Sequence, residues 1–205
     1  MKLHVITDGK KTNEELTNIL RSIHPYVDRI HIREKEKTAR ELAQLLEQIL
    51  KSGVPANKLI VNDRVDVAQA FSVRGVQLAF HSLDVQLVKR AFPRLEIGCS
   101  VHSIKEAAYA EKNGADFLLY GHIFTTSSKL GQQPRGIDNL KVMVENSFVP
   151  IIGIGGITPK NLKQVASTGA SGVAVMSGIM ESKNPVLMAK RFQESHSSYV
   201  EGGEK

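Results

Sequence analysis

Residues 150–159 read PIIGIGGITP and residues 172–179 read GVAVMSGI. Each opens as a short apolar run and ends in a glycine turn. An apolar run of this length, followed at once by glycine, is the pattern of a parallel strand covered on both faces and of the βα turn that leaves it. Outward from these two segments the same unit recurs, with strand-like runs at Leu3 to Asp8, Arg29 to Arg33, Leu59 to Asn62, Gly75 to Phe80, Glu96 to Val101, Phe117 to Gly121, Pro150 to Gly155 and Gly172 to Ser177. LIVN and FLLYG show the same near-continuous apolar character.

The intervening stretches carry helix-entry signals. Thr12 with Glu15, Thr38 with Glu41, and Ser103 with Glu106 each fit the S/T-x-x-E capping box. Thr158-Pro159 offers a cap followed by proline at a first helical position, and Gly114 and Gly169 stand where helices should stop. Parallel neighbours need crossover connections, so eight βα units in 205 residues predict a closed (β/α)8 TIM barrel. A doubly wound open sheet is the alternative, at the cost of two exposed edges. The expected organisation is one barrel domain over 1–196 and a flexible tail, SSYVEGGEK, over 197–205.

Composition narrows the class. With 41% hydrophobic and 23% charged residues the chain reads as a soluble globule. No apolar run approaches the roughly 20 residues of a membrane span, and MKLHVITDGKK lacks a signal-peptide profile. A cytoplasmic protein without a membrane partner is expected. Cys99 is the only cysteine, which excludes an internal disulfide and a multi-cysteine zinc site. The net charge of +6 suits an anionic partner, but the basic residues are spread along the chain without dense runs or interleaved aromatics. That distribution argues for a small anion and against nucleic acid.

In such a barrel the βα loops build the site, and those after the seventh and eighth strands commonly grip phosphate. Gly155 and Gly156 allow close backbone approach to an oxyanion, a helix starting at Thr158 would aim free N–H groups there, and Ser177 with Gly178 could form the second wall. Tight-turn geometry is the competing explanation of each glycine. HIREKEK ends the second strand and places Arg33 at the mouth, where its planar fork suits a carboxylate or phosphate. Asn62-Asp63, after the third strand, could position ligand polar atoms or a metal, or cap the helix near Val65. The longest connection without helical pattern runs from His122 to about Gly136, and of the seven histidines His122 has the best claim to catalysis. His102 is its rival.

Taken together, HIREK, VNDRVDVA, GVQL, IGCSVHS, GADFLLYGHIFTTSSK, IGIGGITP and GVAVMSGI resemble the thiamin phosphate synthase superfamily over nearly the whole chain, and more narrowly its thiazole tautomerase (TenI) branch. The synthases typically read G-P-x-F-P-T-x-T-K after strand six, where this chain has Gly121 to Lys129 as GHIFTTSSK. They also carry a magnesium-holding acid in a G-Q-E-D stretch, where this chain has Ala79-Phe80-His81-Ser82. Asp63 alone is a poor magnesium site.

The resemblance to the tautomerase branch implies an isomerase that needs no metal or cofactor. Its substrate would be a small phosphorylated thiazole: the exocyclic-ene carboxylate tautomer, converted to aromatic 2-(2-carboxy-4-methylthiazol-5-yl)ethyl phosphate. On this view Gly155, Gly156, Met176 and Ser177 hold the phosphate, His122 moves the proton, Arg33 neutralises ligand charge, and Lys129 matches the lysine that ends the synthase motif. Asn62 completes the substrate-binding set, and a homodimer is the expected assembly. Two alternatives stand beside it: a synthase-like transferase, and a non-catalytic regulatory protein that binds a phosphorylated ligand. No helix-turn-helix pattern supports direct DNA control.

Overall fold

The computed structural model describes residues 1–129 and 131–200, the last five as backbone only. Eight strands, β1 (Lys2–Ile6), β2 (Arg29–Ile32), β3 (Leu59–Asn62), β4 (Gly75–Leu78), β5 (Glu96–Val101), β6 (Phe117–Gly121), β7 (Ile151–Ile154) and β8 (Gly172–Val175), form one closed barrel. Each strand pairs in parallel with its sequence neighbours, and β8 returns to β1 with Leu3 opposite Val173. The open-sheet alternative is thereby excluded.

The helices are α1 (Asn13–Ile23), α2 (Ala39–Lys51), α3 (Val65–Ala70), α4 (Val85–Ala91), α5 (Ile104–Lys112), α6 (Gly136–Glu145), α7 (Leu162–Ala166), α8 (Ser177–Met180) and α9 (Pro185–Val200). None is long and apolar enough to cross a membrane. Helix α9 carries the backbone through Val200, four residues into the segment expected as a tail, and 201–205 lie outside the described residues.

Strand alternation sorts the side chains. Leu3, Val5, Ile30, Ile32, Leu59, Val61, Val173 and Val175 turn outward to the helices, whose buried stripes (Leu16, Leu20 and Ile23 of α1; Leu42, Leu45, Leu46 and Ile49 of α2) complete the main core. Ile6, Ile60, Phe117, Leu119, Ile152 and Ala174 fill the barrel itself. Most strand residues are therefore covered on both faces, which is why several strands read as apolar runs.

The capping boxes at Thr12/Glu15 and Thr38/Glu41 form in full. At α5 the box is half built: Ser103 accepts from the Glu106 N–H, but the Glu106 carboxylate reaches one residue further back, to the N–H of His102. The helix start expected at Thr158 does not occur. Residues 158–161 form a turn, closed by Asn161 N–H donating to Thr158 O at 3.2 Å and by Asn161 Oδ1 accepting from the Thr158 N–H at 2.8 Å, and the regular helix α7 begins only at Leu162.

The barrel interior holds an unusual polar pair. His4 Nδ1 lies 2.9 Å from His31 Nε2, both residues are buried, and both rings meet the Phe117 ring edge-on. Burial, and secondarily the Arg29 charge, holds His31 at about 3. Burial pushes His4 in the same direction, helped by His31, Arg29 and Lys2. Across the interior, Gly98 leaves the space that the Phe117 ring and the Gln77 side chain occupy, so a Cβ at 98 would overlap both.

Two outcomes follow. The unfolded chain takes up protons on His4 and His31 near the ordinary value of 6.5, whereas the folded barrel refuses them until about 3 in the case of His31. Unfolding free energy should thus fall as pH drops below 6.5, with up to about 1.4 kcal/mol per pH unit from each histidine. Urea unfolding between pH 6.5 and pH 5, above the carboxylate range, measures this; a flat profile, or one unchanged in H4L/H31L, would contradict the buried neutral pair. Separately, G98A should destabilise by about 1–3 kcal/mol. The loss should shrink in G98A/F117L, where the ring that the new methyl meets is gone.

Candidate functional site

The expected site residues all lie at the C-terminal rim of the barrel, though not all in the expected role. His122 follows β6 and Gly155 follows β7, and the two are in direct contact: a Cβ at Gly155 would lie 2.7 Å from His122 Cα. Gly156 is packed just as closely beneath Phe124 and Thr125, with the Phe124 Cβ 2.8 Å from where its own would be. Both glycines have positive φ, 100° and 65°. Turn geometry and close packing therefore each require glycine here, whether or not a ligand is held.

The loop after β6 folds back on this seam. Ile123 N–H donates to Ile154 O at 2.9 Å and Phe124 N–H to Gly155 O at 3.0 Å. Asn161, which the sequence reading passed over, ties the other side by donating from Nδ2 to Gly156 O at 3.0 Å. The N–H groups of Gly156 and Ile157 have no hydrogen-bond partner among the described residues. The turn after β8 is alongside, since a Cβ at Gly178 would come within 3.9 Å of Ile157 O. Ser177 and Gly178 open α8, a single turn in which the N–H groups of Ile179 and Met180 already donate to Met176 O. Met176 contributes more than backbone, as its half-buried side chain packs on the barrel-filling cluster.

Arg33 stands at the end of β2, on the opposite side of the eight-membered ring from β6. Its N–H donates to Thr7 Oγ1 at 2.8 Å, and the same hydroxyl donates to buried Glu34 at 2.7 Å, so a latch between the first two strands fixes the arginine backbone. No carboxylate pairs with the Arg33 guanidinium among the described residues. Lys129 is exposed, on a short 3₁₀ turn at Ser127–Lys129. The structure does not bring it into the seam contacts. His102 is likewise at the periphery, 3.4 Å from Glu106 on the outer helix.

Asn62 ends β3 with its Oδ1 buried and unpartnered among the described residues. Gln77 on β4, beside it in register, donates to Ser100 Oγ on β5 at 3.1 Å, and its Oε1 is also unpartnered. Three strands thus present a polar arc inside the barrel. Only Asn62 was foreseen; inward parity within GVQL was the signal for Gln77.

Neither Asn62 nor Asp63 caps α3, which begins without a side-chain cap. The Asp63 carboxylate instead accepts from the Ser82 hydroxyl and lies 3.1 Å from His81 Nε2. Magnesium, which synthase chemistry would call for, selects several hard oxygen donors. Here one carboxylate stands alone and both its oxygens are engaged within the protein, and no three His, Cys, Asp or Glu side chains converge among the described residues. The donor set does not fit that ion.

Comparison with known proteins agrees with the fold and widens the chemistry to be considered. The thiamine monophosphate synthase family model matches residues 3–179. A thiamine-phosphate synthase of Methanococcus vannielii is 32% identical over 201 residues, covering 98% of this chain and 97% of that protein. One of Pyrococcus abyssi is 35% identical over 181 residues, covering 88% and 87%. The solved thiamine phosphate pyrophosphorylase of Pyrococcus furiosus superposes with a TM-score of 0.82 at 31% identity, covering 97% of this chain and 96% of that one. On sequence, length and barrel alike, the chain belongs to the thiamine monophosphate synthase family.

Proposed function

We propose that this member of the family is a thiazole tautomerase. It would convert the exocyclic-ene thiazole carboxylate phosphate to its aromatic isomer by moving one proton. The carrying observation is the packing of His122 against Gly155, which sets an imidazole beside the turn best suited to hold a phosphate. The donor set around Asp63 supports the same reading, because proton transfer asks nothing of it.

In this scheme the N–H groups of Gly156 and Ile157, which have no partner among the described residues, receive the phosphate together with Ser177 and the backbone at Met176. Arg33, on the far rim and without a carboxylate partner among the described residues, balances the ring carboxylate. Asn62 supplies an acceptor to the ligand, and Lys129, on its exposed turn, is left as an outer charge that attracts it. His122 removes the proton from the ring carbon. The freed electron pair shifts through the ring as it becomes aromatic, and the exocyclic carbon takes the proton back. The reaction is balanced by the imidazole alone and requires no cofactor.

A second reading, synthase-like transfer, is favoured by one specific observation: the relatives described above carry the synthase name. Incubation with pyrimidine pyrophosphate, thiazole phosphate and magnesium separates the two, since thiamin phosphate formation would replace the tautomerase assignment.

The direct test is H122N assayed on the ene tautomer by the appearance of the aromatic product. Turnover should fall by about 10²- to 10⁴-fold with substrate binding retained. Turnover at the wild-type rate would overturn the assignment of the proton to His122. In R33Q the dominant change should be a rise in KM of about tenfold or more, the loss expected of a charge-assisted contact.

A further inference from the structure

We infer that the β6–α6 loop is a positioning device that fixes His122 as its Nε2–H tautomer, with Arg135 as the clamp and Nδ1 as the nitrogen left open to exchange a proton. The use made of that proton rests on the tautomerase reading; the tautomer and its clamp do not.

His122 Nε2 lies 3.3 Å from the backbone carbonyl oxygen of Gln132. A carbonyl only accepts, so the hydrogen of this bond belongs to Nε2. A neutral imidazole carries one N–H, which leaves Nδ1 bare, and Nδ1 has no partner among the described residues. The acceptor is itself held, since Gln132 N–H donates to Lys129 O at 3.2 Å. Ring and carbonyl therefore belong to one folded loop whose shape determines which nitrogen is free.

Arg135 closes that loop. Its backbone N–H donates to His122 O at 2.8 Å, its side-chain Nε donates to Gly121 O at 2.9 Å, and its guanidinium lies 5.7 Å from the centre of the Tyr120 ring. Tyr120 is buried, so the far end of the clamp is packed in the main core. One residue thus holds three consecutive positions, 120 to 122. No carboxylate competes for the Arg135 charge among the described residues. Edge donation combined with face packing needs a planar cation, which arginine supplies and lysine does not.

During turnover the ring C–H bond would break with its proton passing to Nδ1, while Nε2–H stays bonded to Gln132 O. Nδ1–H would then deliver the same proton to the exocyclic carbon, and the imidazole returns neutral without flipping. Arg135 acts through His122 and touches no reacting atom, which makes it a positioning residue.

The experiment is two-bond ¹H–¹⁵N NMR of ¹⁵N-histidine-labelled protein at pH 8, with H122N assigning the His122 signals, alongside kinetics of wild type, R135M and R135K. The wild type should show a protonated Nε2 and a bare Nδ1. R135M should show both tautomers and a kcat lower by about 10- to 100-fold, with KM within about twofold. R135K, which can still reach the Gly121 carbonyl, should fall between them. A wild-type proton on Nδ1 would overturn the inference on its own, even if R135M does not fold. So would R135M losing activity with its tautomer unchanged, the sign of a merely structural role. A wild-type protein with the expected tautomer, disturbed by R135M, that fails to isomerise the thiazole would support the clamp and overturn the tautomerase reading.

Discussion

Two backbones meet without side chains between them where β6 and β7 leave the barrel, and the site is built on that approach. Gly121 lies against the carbonyl of Ile154, Gly155 against His122, and Gly156 against Phe124 and Thr125. A single methyl at any of the three would have to push one strand end off the other, because packed interiors relax only partly. The seam therefore brings the His122 imidazole beside a turn whose Gly156 and Ile157 N–H groups have no partner among the described residues. The hydrogen bonds from Ile123 and Phe124 to the β7 end then hold the longer loop on it.

The barrel interior is divided. On the β6 to β8 side Phe117, Leu119, Ile152, Ile154, Ala174 and Met176 form an apolar wall. On the β1 to β4 side His4, His31, Asn62 and Gln77 each retain a buried polar atom without a hydrogen-bond partner among the described residues. Such atoms cost about 1–3 kcal/mol each when dry, so a barrel selected for stability alone would not gather them on one side. Those of Asn62 and Gln77 lie nearest the rim, where a ligand or water can meet them. The His4–His31 pair lies deeper and is satisfied only at its shared contact, so its contribution is to the pH range of the fold rather than to binding.

Much of the architecture was legible because its signals are local. Strands dry on both faces must read as apolar runs, and the runs over Leu59–Asn62, Glu96–Val101 and Phe117–Gly121 coincide with β3, β5 and β6. Capping boxes span four residues and depend on little else, so two formed in full; at Ser103 a neighbouring N–H was near enough to win the carboxylate. The start of α7 was misread by four residues because residues 158–161 close a turn of their own before the helix begins at Leu162. What could not be read is what depends on register. His31 meets His4 only through the β1–β2 pairing, Asp63 meets Ser82 from the next strand's loop, and Arg135 reaches Gly121 from the far end of a connection with no periodicity. The rim positions of His122, Arg33 and the paired glycines were legible from strand ends; the packing that makes both glycines obligatory was not.

The same mouth can serve different chemistry depending on which polar groups are left unsatisfied. At the β3–β4 corner the Asp63 carboxylate is already met by a hydroxyl and an imidazole from one neighbouring loop, so an incoming cation would have to displace both and would gain a single charged ligand. At the β6 rim the balance is reversed. Among the described residues, His122 has one nitrogen engaged by a carbonyl and no partner for the other, and the adjacent turn keeps N–H groups without acceptors. A phosphorylated ligand whose reaction needs only a proton moved would satisfy the unfilled groups and leave the filled ones undisturbed. A ligand that needs a metal would ask for the reverse. That pattern of satisfied and unsatisfied atoms is the ground of the tautomerase proposal, and it is set against relatives that carry the synthase name.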